Sequence, residues 1–166
     1  MQNRWGNFHF SWFLPKFGSS LRNHGKRMEQ PIWNRIFFMD SIQAYDARRY
    51  PQCVIHILCT KGSMSFRFQN VHYNIVAGDY VILTNMSLAS GFSESEDYRA
   101  LTMGLSEPFV LSMAIRNNYG IIGHLGLLQN PVMKLSPHDF RKCVDDMERL
   151  RERLTDGEPH LFREEM

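Results

Sequence analysis

The fold is decided by the stretch Met64-Ser-Phe-Arg-Phe-Gln69, Asn70, Val71-His-Tyr-Asn-Ile-Val76, Ala77-Gly78-Asp79 and Tyr80-Val-Ile-Leu83. In the first and third pieces apolar residues alternate with polar ones, which is typical of a strand with one buried face. A turn near Asn70 joins these two strands into a hairpin, and Ala77-Gly78-Asp79 supplies a second turn. The stretch therefore predicts antiparallel β-structure.

Short segments rich in β-branched and aromatic residues continue on both sides of this stretch. Together they predict strands at Ile32–Met39, Cys53–Cys59, Met64–Gln69, Val71–Val76, Tyr80–Thr84 and Tyr98–Leu105. Many short strands at this spacing favour a sandwich or a barrel. The polar residues between the last two predicted strands, namely Ser90, Gly91, Glu94, Glu96 and Asp97, are predicted to lie in loops.

The remainder of the chain is predicted to be helical. Ser106-Glu-Pro predicts a helix at about 107–117, and Ser136-Pro137 starts a longer one in which an apolar stripe repeats at helical spacing. The stripe is formed by Phe140, Cys143, Val144, Met147, Leu150 and Leu154. Two interpretations stay open, because such a stripe covers a sheet or forms a helix–helix dimer seam. Gly157 ends this helix and Pro159 starts another.

Length and composition exclude several classes of protein. The chain has 166 residues, 43% hydrophobic and 22% charged, with 19 Lys and Arg against 17 Asp and Glu. These values fit one globular domain and argue against disorder and against a strongly basic nucleic-acid binder. No apolar run approaches the roughly 18 residues of a membrane span. The three cysteines have no CxxC spacing, so we expect free thiols and a cytoplasmic protein.

The sequence shows no apparatus for catalysis. His56 lies on a predicted strand between Val54 and Leu58, and Asp79 is the one carboxylate in residues 53–92, so converging metal ligands are not expected. There is no GxSxG elbow and no glycine-rich phosphate loop. We therefore predict no catalytic residue, no metal and no cofactor.

Several of these features resemble known families. The run Cys59-Thr-Lys-Gly62, the hairpin and the Gly78-Asp79 turn resemble the cupin repeat. Leu105-Ser-Glu-Pro-Phe-Val-Leu and Asn130-Pro-Val-Met-Lys-Leu-Ser-Pro, with the long helix that follows, are similar to the N-terminal sensor domain of AraC-family transcription regulators. The resemblance covers about residues 32–166.

This resemblance implies a mainly β protein with C-terminal α-structure. It implies an N-terminal arm at 1–30, a cupin-like jelly-roll barrel at 31–130 that binds a small effector, and dimerisation helices at 131–166. The chain is expected to form a homodimer and to regulate transcription through a DNA-binding domain that it does not contain, with no membrane partner. The metal-ligand positions of catalytic cupins hold Arg49, Pro51, Ile55 and residues near Ala89, which favours a metal-free regulator. The alternatives are a cupin isomerase or dioxygenase, or a stand-alone small-molecule-binding cupin.

The resemblance also suggests site residues. The effector pocket is predicted to involve Lys61, Phe66, Phe68, Tyr73 and Thr102, with Lys61 able to pair with a polar or anionic effector. The dimer contact is predicted at Phe140, Val144, Met147, Leu150 and Leu154.

Overall fold

The computed structural model of the chain describes residues 36–50, 52–107, 109–110 and 126–155. Over these residues the secondary structure is mainly β with a C-terminal helix, as the sequence predicts. The strands and the helix are β1 (Ile36–Met39), β2 (Cys53–Lys61), β3 (Ser63–Phe68), β4 (Val71–Val76), β5 (Asp79–Leu83), β6 (Ala89–Glu94), β7 (Arg99–Ser106), β8 (Val132–Lys134) and α1 (Pro137–Thr155).

The described strands form two antiparallel sheets. The five-stranded sheet has the order β1-β7-β2-β5-β8, and the three-stranded sheet has the order β4-β3-β6. Strand β2 lies in the middle of the larger sheet and pairs with β7 on one side and β5 on the other. The chain passes from the smaller sheet to the larger one at the turn between β4 and β5.

The hairpin predicted from the alternating pattern is confirmed. Phe68 pairs with Val71, so Gln69 and Asn70 form a two-residue loop, and both have positive φ, at 48° and 67°. This is the backbone of a type I′ turn, which matches the twist of the flanking strands and which asparagine tolerates well.

Strand β6 corrects the prediction that Ser90, Gly91 and Glu94 lie in a loop. Serine and glycine have low strand propensity, which is why the segment does not read as a strand. The structure shows that it pairs with β3, with Ser65 opposite Ser93 and Arg67 opposite Ser90. The extra residue is accommodated by a bulge at Gly91, whose φ is +65°. Strand β8 is three residues long and was also not predicted.

The two sheets face each other across an apolar layer, which we call the inter-sheet core. Its buried members come from both sheets and from the segment after β1: Ile42, Cys53, Ile55, Ile57, Cys59, Met64, Phe66, Phe68, Ile75, Val81, Leu83 and Tyr98. Fully burying one aliphatic or aromatic side chain of this kind stabilises the folded state by about 1.5–3 kcal/mol. This layer fixes the inner face of each strand.

Helix α1 covers the other face of the five-stranded sheet. Its buried residues Cys143, Met147 and Leu150 join a second apolar layer, the helix-side core, with Ile36, Leu58, Tyr80, Ile82, Leu101, Met103, Leu105 and Leu127. Phe140, Val144 and Leu154 pack against the same layer. The Ser136 hydroxyl accepts a hydrogen bond from the Asp139 amide at 3.1 Å, which caps the helix start as predicted.

The sequence leaves two interpretations of the apolar stripe, a helix that covers a sheet and a helix–helix dimer seam. Within this chain the stripe covers the five-stranded sheet, and Met147 has no exposed surface. The predicted N-terminal arm and the predicted helix starting at Pro159 lie outside the described residues. So does most of the helix predicted at 107–117, of which residues 107, 109 and 110 are helical. In the part of the chain that is described, no helix is long and apolar enough to cross a membrane.

Asp79 stabilises the turn between β4 and β5, where the chain passes from the smaller sheet to the larger one. Its carboxylate is buried, accepts a hydrogen bond from the Val76 amide at 3.0 Å and contacts the Lys134 ammonium at 3.0 Å. Gly78 before it has a φ of +97°, and its amide donates to the Cys59 carbonyl. The Gly-Asp turn noted in the sequence therefore connects β4, β5, β8 and β2 at one point.

Replacing Asp79 should cost far more stability than replacing its partner. Asp79→Ala leaves the Val76 amide without its acceptor, and we expect the free energy of unfolding to fall by about 1–3 kcal/mol. Lys134→Met should cost less than about 1 kcal/mol, because the Lys134 side chain is 78% exposed. Urea unfolding of both variants measures the difference. Equal losses would contradict the role assigned to the buried carboxylate.

Candidate functional site

The predicted aromatic pocket residues lie together on the inner face of the three-stranded sheet. The rings of Phe66 and Tyr73 are stacked with centroids 5.4 Å apart, and Phe68 is buried in the same inter-sheet core. Phe92 of β6 stacks on the other side of Phe66 at 5.7 Å. Each strand of the smaller sheet thus contributes one ring to a continuous aromatic row.

Sequence reasoning missed Phe92, because its segment was assigned to a loop. The available signal is the spacing of Ala89, Phe92 and Glu94, which lie on one face once the glycine between them is read as a bulge.

Lys61 does not join the other predicted pocket residues. A register irregularity between Cys59 and Lys61 pairs Lys61 with Arg99 at the end of β2, and its side chain is exposed. Cys59, two residues earlier, is buried in the inter-sheet core. The bulge therefore turns the lysine away from the core that strict alternation predicts for it.

Thr102 occupies the inner face of β7. It pairs with Ile57 of β2 and with Met39 of β1, both of which contact the inter-sheet core, and it is 1% exposed. Its hydroxyl has no hydrogen-bond partner in the described part of the chain. A buried hydroxyl without a partner costs about 1–3 kcal/mol, so such groups need a specific explanation.

Tyr98 presents a second hydroxyl of this kind. The residue is 7% exposed, belongs to the inter-sheet core and has a hydroxyl without a partner among the described residues. Burial, with Cys59 and Glu94 nearby, raises the pKa of Tyr98 well above its usual range. The phenol therefore stays neutral, and it can both donate and accept a hydrogen bond.

Glu94 brings a carboxylate to the same region. It pairs with Met64, lies two residues after Phe92 and is half-buried, so it shares the inner face of β6. The Ser41 hydroxyl donates to Glu94 Oε1 at 2.6 Å. This bond joins the segment after β1 to the edge of the other sheet. No sequence pattern identifies Ser41, because the contact spans 53 residues.

The segment between β1 and β2 lies against the inter-sheet core. Ile42 is buried there, and Tyr45 donates a hydrogen bond to the Tyr50 carbonyl. The Tyr50 ring stacks on Phe37 with a centroid distance of 3.8 Å. Phe37 in turn covers Gly104, where an added Cβ would overlap the phenyl ring. The glycine is thus required by the close approach of an aromatic ring.

A second polar pair is buried beneath helix α1. His56 Nδ1 and the Tyr80 hydroxyl are 2.7 Å apart, and both residues lie on the helix-side face of the large sheet. Burial lowers the pKa of His56 to about 4 and raises that of Tyr80 well above its usual range, with Cys143 of α1 contributing to the second shift. At neutral pH both groups are therefore uncharged.

The described residues give little support for metal binding or for a nucleophilic thiol. Within the described ranges, no group of three or more His, Cys, Asp or Glu side chains is arranged to hold a metal ion. Cys53, Cys59 and Cys143 are buried free thiols, and burial raises the pKa of Cys53 and Cys59 to about 11 and that of Cys143 to about 12. These thiols are poor nucleophiles at neutral pH.

Removing the unpartnered hydroxyl of Thr102 should stabilise the protein. Thr102→Val keeps the shape of the side chain, and we expect the free energy of unfolding to rise by about 1 kcal/mol. The matched control is Thr60→Val, which removes a hydroxyl that donates to the Arg99 carbonyl at 3.0 Å and should lower stability by about 1 kcal/mol. Thermal unfolding compares the two. A loss of stability in Thr102→Val would show that its hydroxyl has a partner.

Buried His56 should make stability fall in mild acid. Its pKa of about 4 in the folded state lies below the usual 6.5, so between these values the unfolded chain binds a proton that the folded chain does not. The free energy of unfolding should drop by about 2 kcal/mol between about pH 7.5 and about pH 5. His56→Gln should lack this component, whereas His138→Gln, at an exposed position of α1, should retain it. Parallel urea-unfolding profiles for wild type and His56→Gln would contradict the assignment.

Comparison with known proteins does not assign this chain to a family. A scan against protein-family models gives no match, and a search of curated proteins finds none either.

Proposed function

We propose that this chain is the effector-sensing and dimerisation domain of an AraC-type transcription regulator, built as a metal-free, cupin-like jelly roll. In this proposal the sheets and the helix sense the effector, and DNA is bound by a separate domain of the regulator. The observation that carries the proposal is the pair of buried hydroxyls, on Thr102 and Tyr98, that have no hydrogen-bond partner among the described residues.

A small effector bound between the sheets accounts for these hydroxyls. The surrounding core is apolar, so an unpaired hydroxyl is costly there, and a ligand oxygen or nitrogen would restore the missing hydrogen bond. Aromatic and aliphatic walls with a few convergent polar groups are typical of small-molecule sites. Tyr73, Phe66 and Phe92 supply such a wall.

Strand β2 provides the route from this site to helix α1. Ile55 and Ile57 belong to the inter-sheet core, whereas Leu58 belongs to the helix-side core and His56 contacts Tyr80 of that core. Any shift of the strand that improves contact with an effector therefore also changes packing under the helix. A ligand moves such an equilibrium only through different affinities for the two arrangements.

Helix α1 is the element through which two copies would pair. Met147 is fully buried against the chain's own sheet, so the pairing surface is formed by the flanks of the stripe. Phe140, Val144 and Leu154 are half-buried there and keep part of their surface available. The predicted dimer residues thus divide into those that hold the helix to the sheet and those that can also contact a second helix.

A ligand screen tests the proposal directly. We expect at least one compound from a panel of sugars, organic acids and aromatic metabolites to raise the thermal midpoint, because it binds the folded chain selectively. Tyr98→Phe should remain folded and reduce that shift. Ser93→Ala, on the outer face of β6, should leave it unchanged. If no compound raises the midpoint of the wild-type chain, the sensor proposal is wrong.

A further inference from the structure

We propose that the site between the sheets takes a cationic amine, bound by the carboxylate of Glu94 beside the hydroxyl of Tyr98. This inference rests on the proposed function and specifies the charge and the anchoring group of the effector.

The charged side chains on the inner faces of the two sheets indicate the charge of the ligand. Along the described strands, those faces hold two carboxylates, Asp79 and Glu94, and one basic residue, Lys134, which lies opposite Asp79 and is paired with it. The other lysine and arginine residues of these strands, Lys61, Arg67 and Arg99, are exposed. An anionic effector would therefore be repelled by the carboxylate of Glu94, which has no basic partner among the described residues, whereas a cation would be attracted to it.

The two inner carboxylates differ in how far they are neutralised. Asp79 has a cationic partner in Lys134 at 3.0 Å and a backbone amide donor at the same distance. Glu94 accepts a hydrogen bond from the neutral hydroxyl of Ser41, and no ion pair involves it in the described part of the chain. A half-buried carboxylate without a cationic partner is stabilised by an added cation, because opposite charges attract more strongly where burial lowers the effective dielectric constant.

Tyr98 provides a second, independent observation at this position. Tyr98 follows Glu94 across a short turn in which the Tyr98 amide donates to the Ser95 carbonyl at 3.0 Å, and its buried hydroxyl has no partner among the described residues. An ammonium group has three donors and no acceptor. One donor can serve the Glu94 carboxylate and another the Tyr98 oxygen, which would satisfy both groups at once.

The aromatic row favours the same kind of ligand. Phe92 lies two residues before Glu94 on the inner face of β6, and its ring packs against Phe66. Aromatic faces attract cations as well as apolar groups. An amine that carries a ring or a short hydrocarbon chain therefore matches both the carboxylate and its apolar surroundings.

Three probes of equal shape and different charge test the inference. Benzylamine, benzyl alcohol and benzoate are titrated into the wild-type chain by calorimetry near neutral pH. Benzylamine should bind at least about tenfold more tightly than benzyl alcohol, and benzoate should bind least. This selectivity is measured on the unaltered protein, so it does not depend on a variant that folds.

Two matched variants locate the binding site. Glu94→Gln should weaken benzylamine binding by about tenfold or more and leave benzyl alcohol binding nearly unchanged. Glu96→Gln removes an exposed carboxylate two residues along the chain and should not alter either affinity. Circular dichroism and the thermal midpoint establish that both variants are folded.

The outcomes separate this inference from the broader proposal. If benzoate or benzyl alcohol binds as tightly as benzylamine, or if Glu94→Gln and Glu96→Gln behave alike, the amine assignment is overturned while a ligand site remains. If none of the three probes binds, the amine assignment is again overturned, and the wider screen decides the sensor proposal.

Discussion

Strand β2 is buried on both of its faces, and most of the structure is organised by that double burial. One face contributes Ile55 and Ile57 to the inter-sheet core, and the other contributes Leu58 to the helix-side core. A strand that is apolar on both faces needs a packing partner on each side, and the three-stranded sheet and helix α1 are these partners. The double burial also explains why His56 is uncharged at neutral pH: a polar side chain in such a strand has no route to solvent and must find a partner within the fold, here Tyr80.

The elements that sequence reasoning found are those whose signal is local. The alternation in Met64–Gln69 and Val71–Val76, the turn at Asn70 and the cap at Ser136 each depend on residues within a few positions. Strand β6 could not be found in this way, since its serines and Gly91 gain their strand conformation from pairing with β3. Helix α1 was located correctly, but its stripe alone could not decide between a sheet and a second helix, because both surfaces are apolar.

The residues of the candidate site also differ in whether the local sequence identifies them. Phe66, Phe68 and Tyr73 alternate with polar residues in the sequence, whereas Thr102 is suggested by the family resemblance, and all four lie on inner faces of the sheets. Lys61 is suggested by the resemblance alone, and a register irregularity next to Cys59 leaves its side chain exposed, apart from the other four residues. Glu94 and Ser41 were beyond prediction, since their hydrogen bond forms only when two edges distant in sequence come together. Long-range contacts of this kind depend on the whole topology and have no local signature.

The bulge at Gly91 has a consequence for how the site is encoded. Side chains in a strand alternate between faces, so one residue more or fewer exchanges the inner and outer sets from that point onward. The bulge at Gly91 absorbs one extra residue, so Phe92 and Glu94 lie on the inner face while Ser90 and Ser93 remain exposed. The charge between the sheets therefore depends on the positive φ of one uncharged residue, Gly91. A regular strand conformation at Gly91 would turn Glu94 outward and Ser93 inward, and it would exchange an acidic interior for a neutral, serine-lined one without altering any acidic side chain.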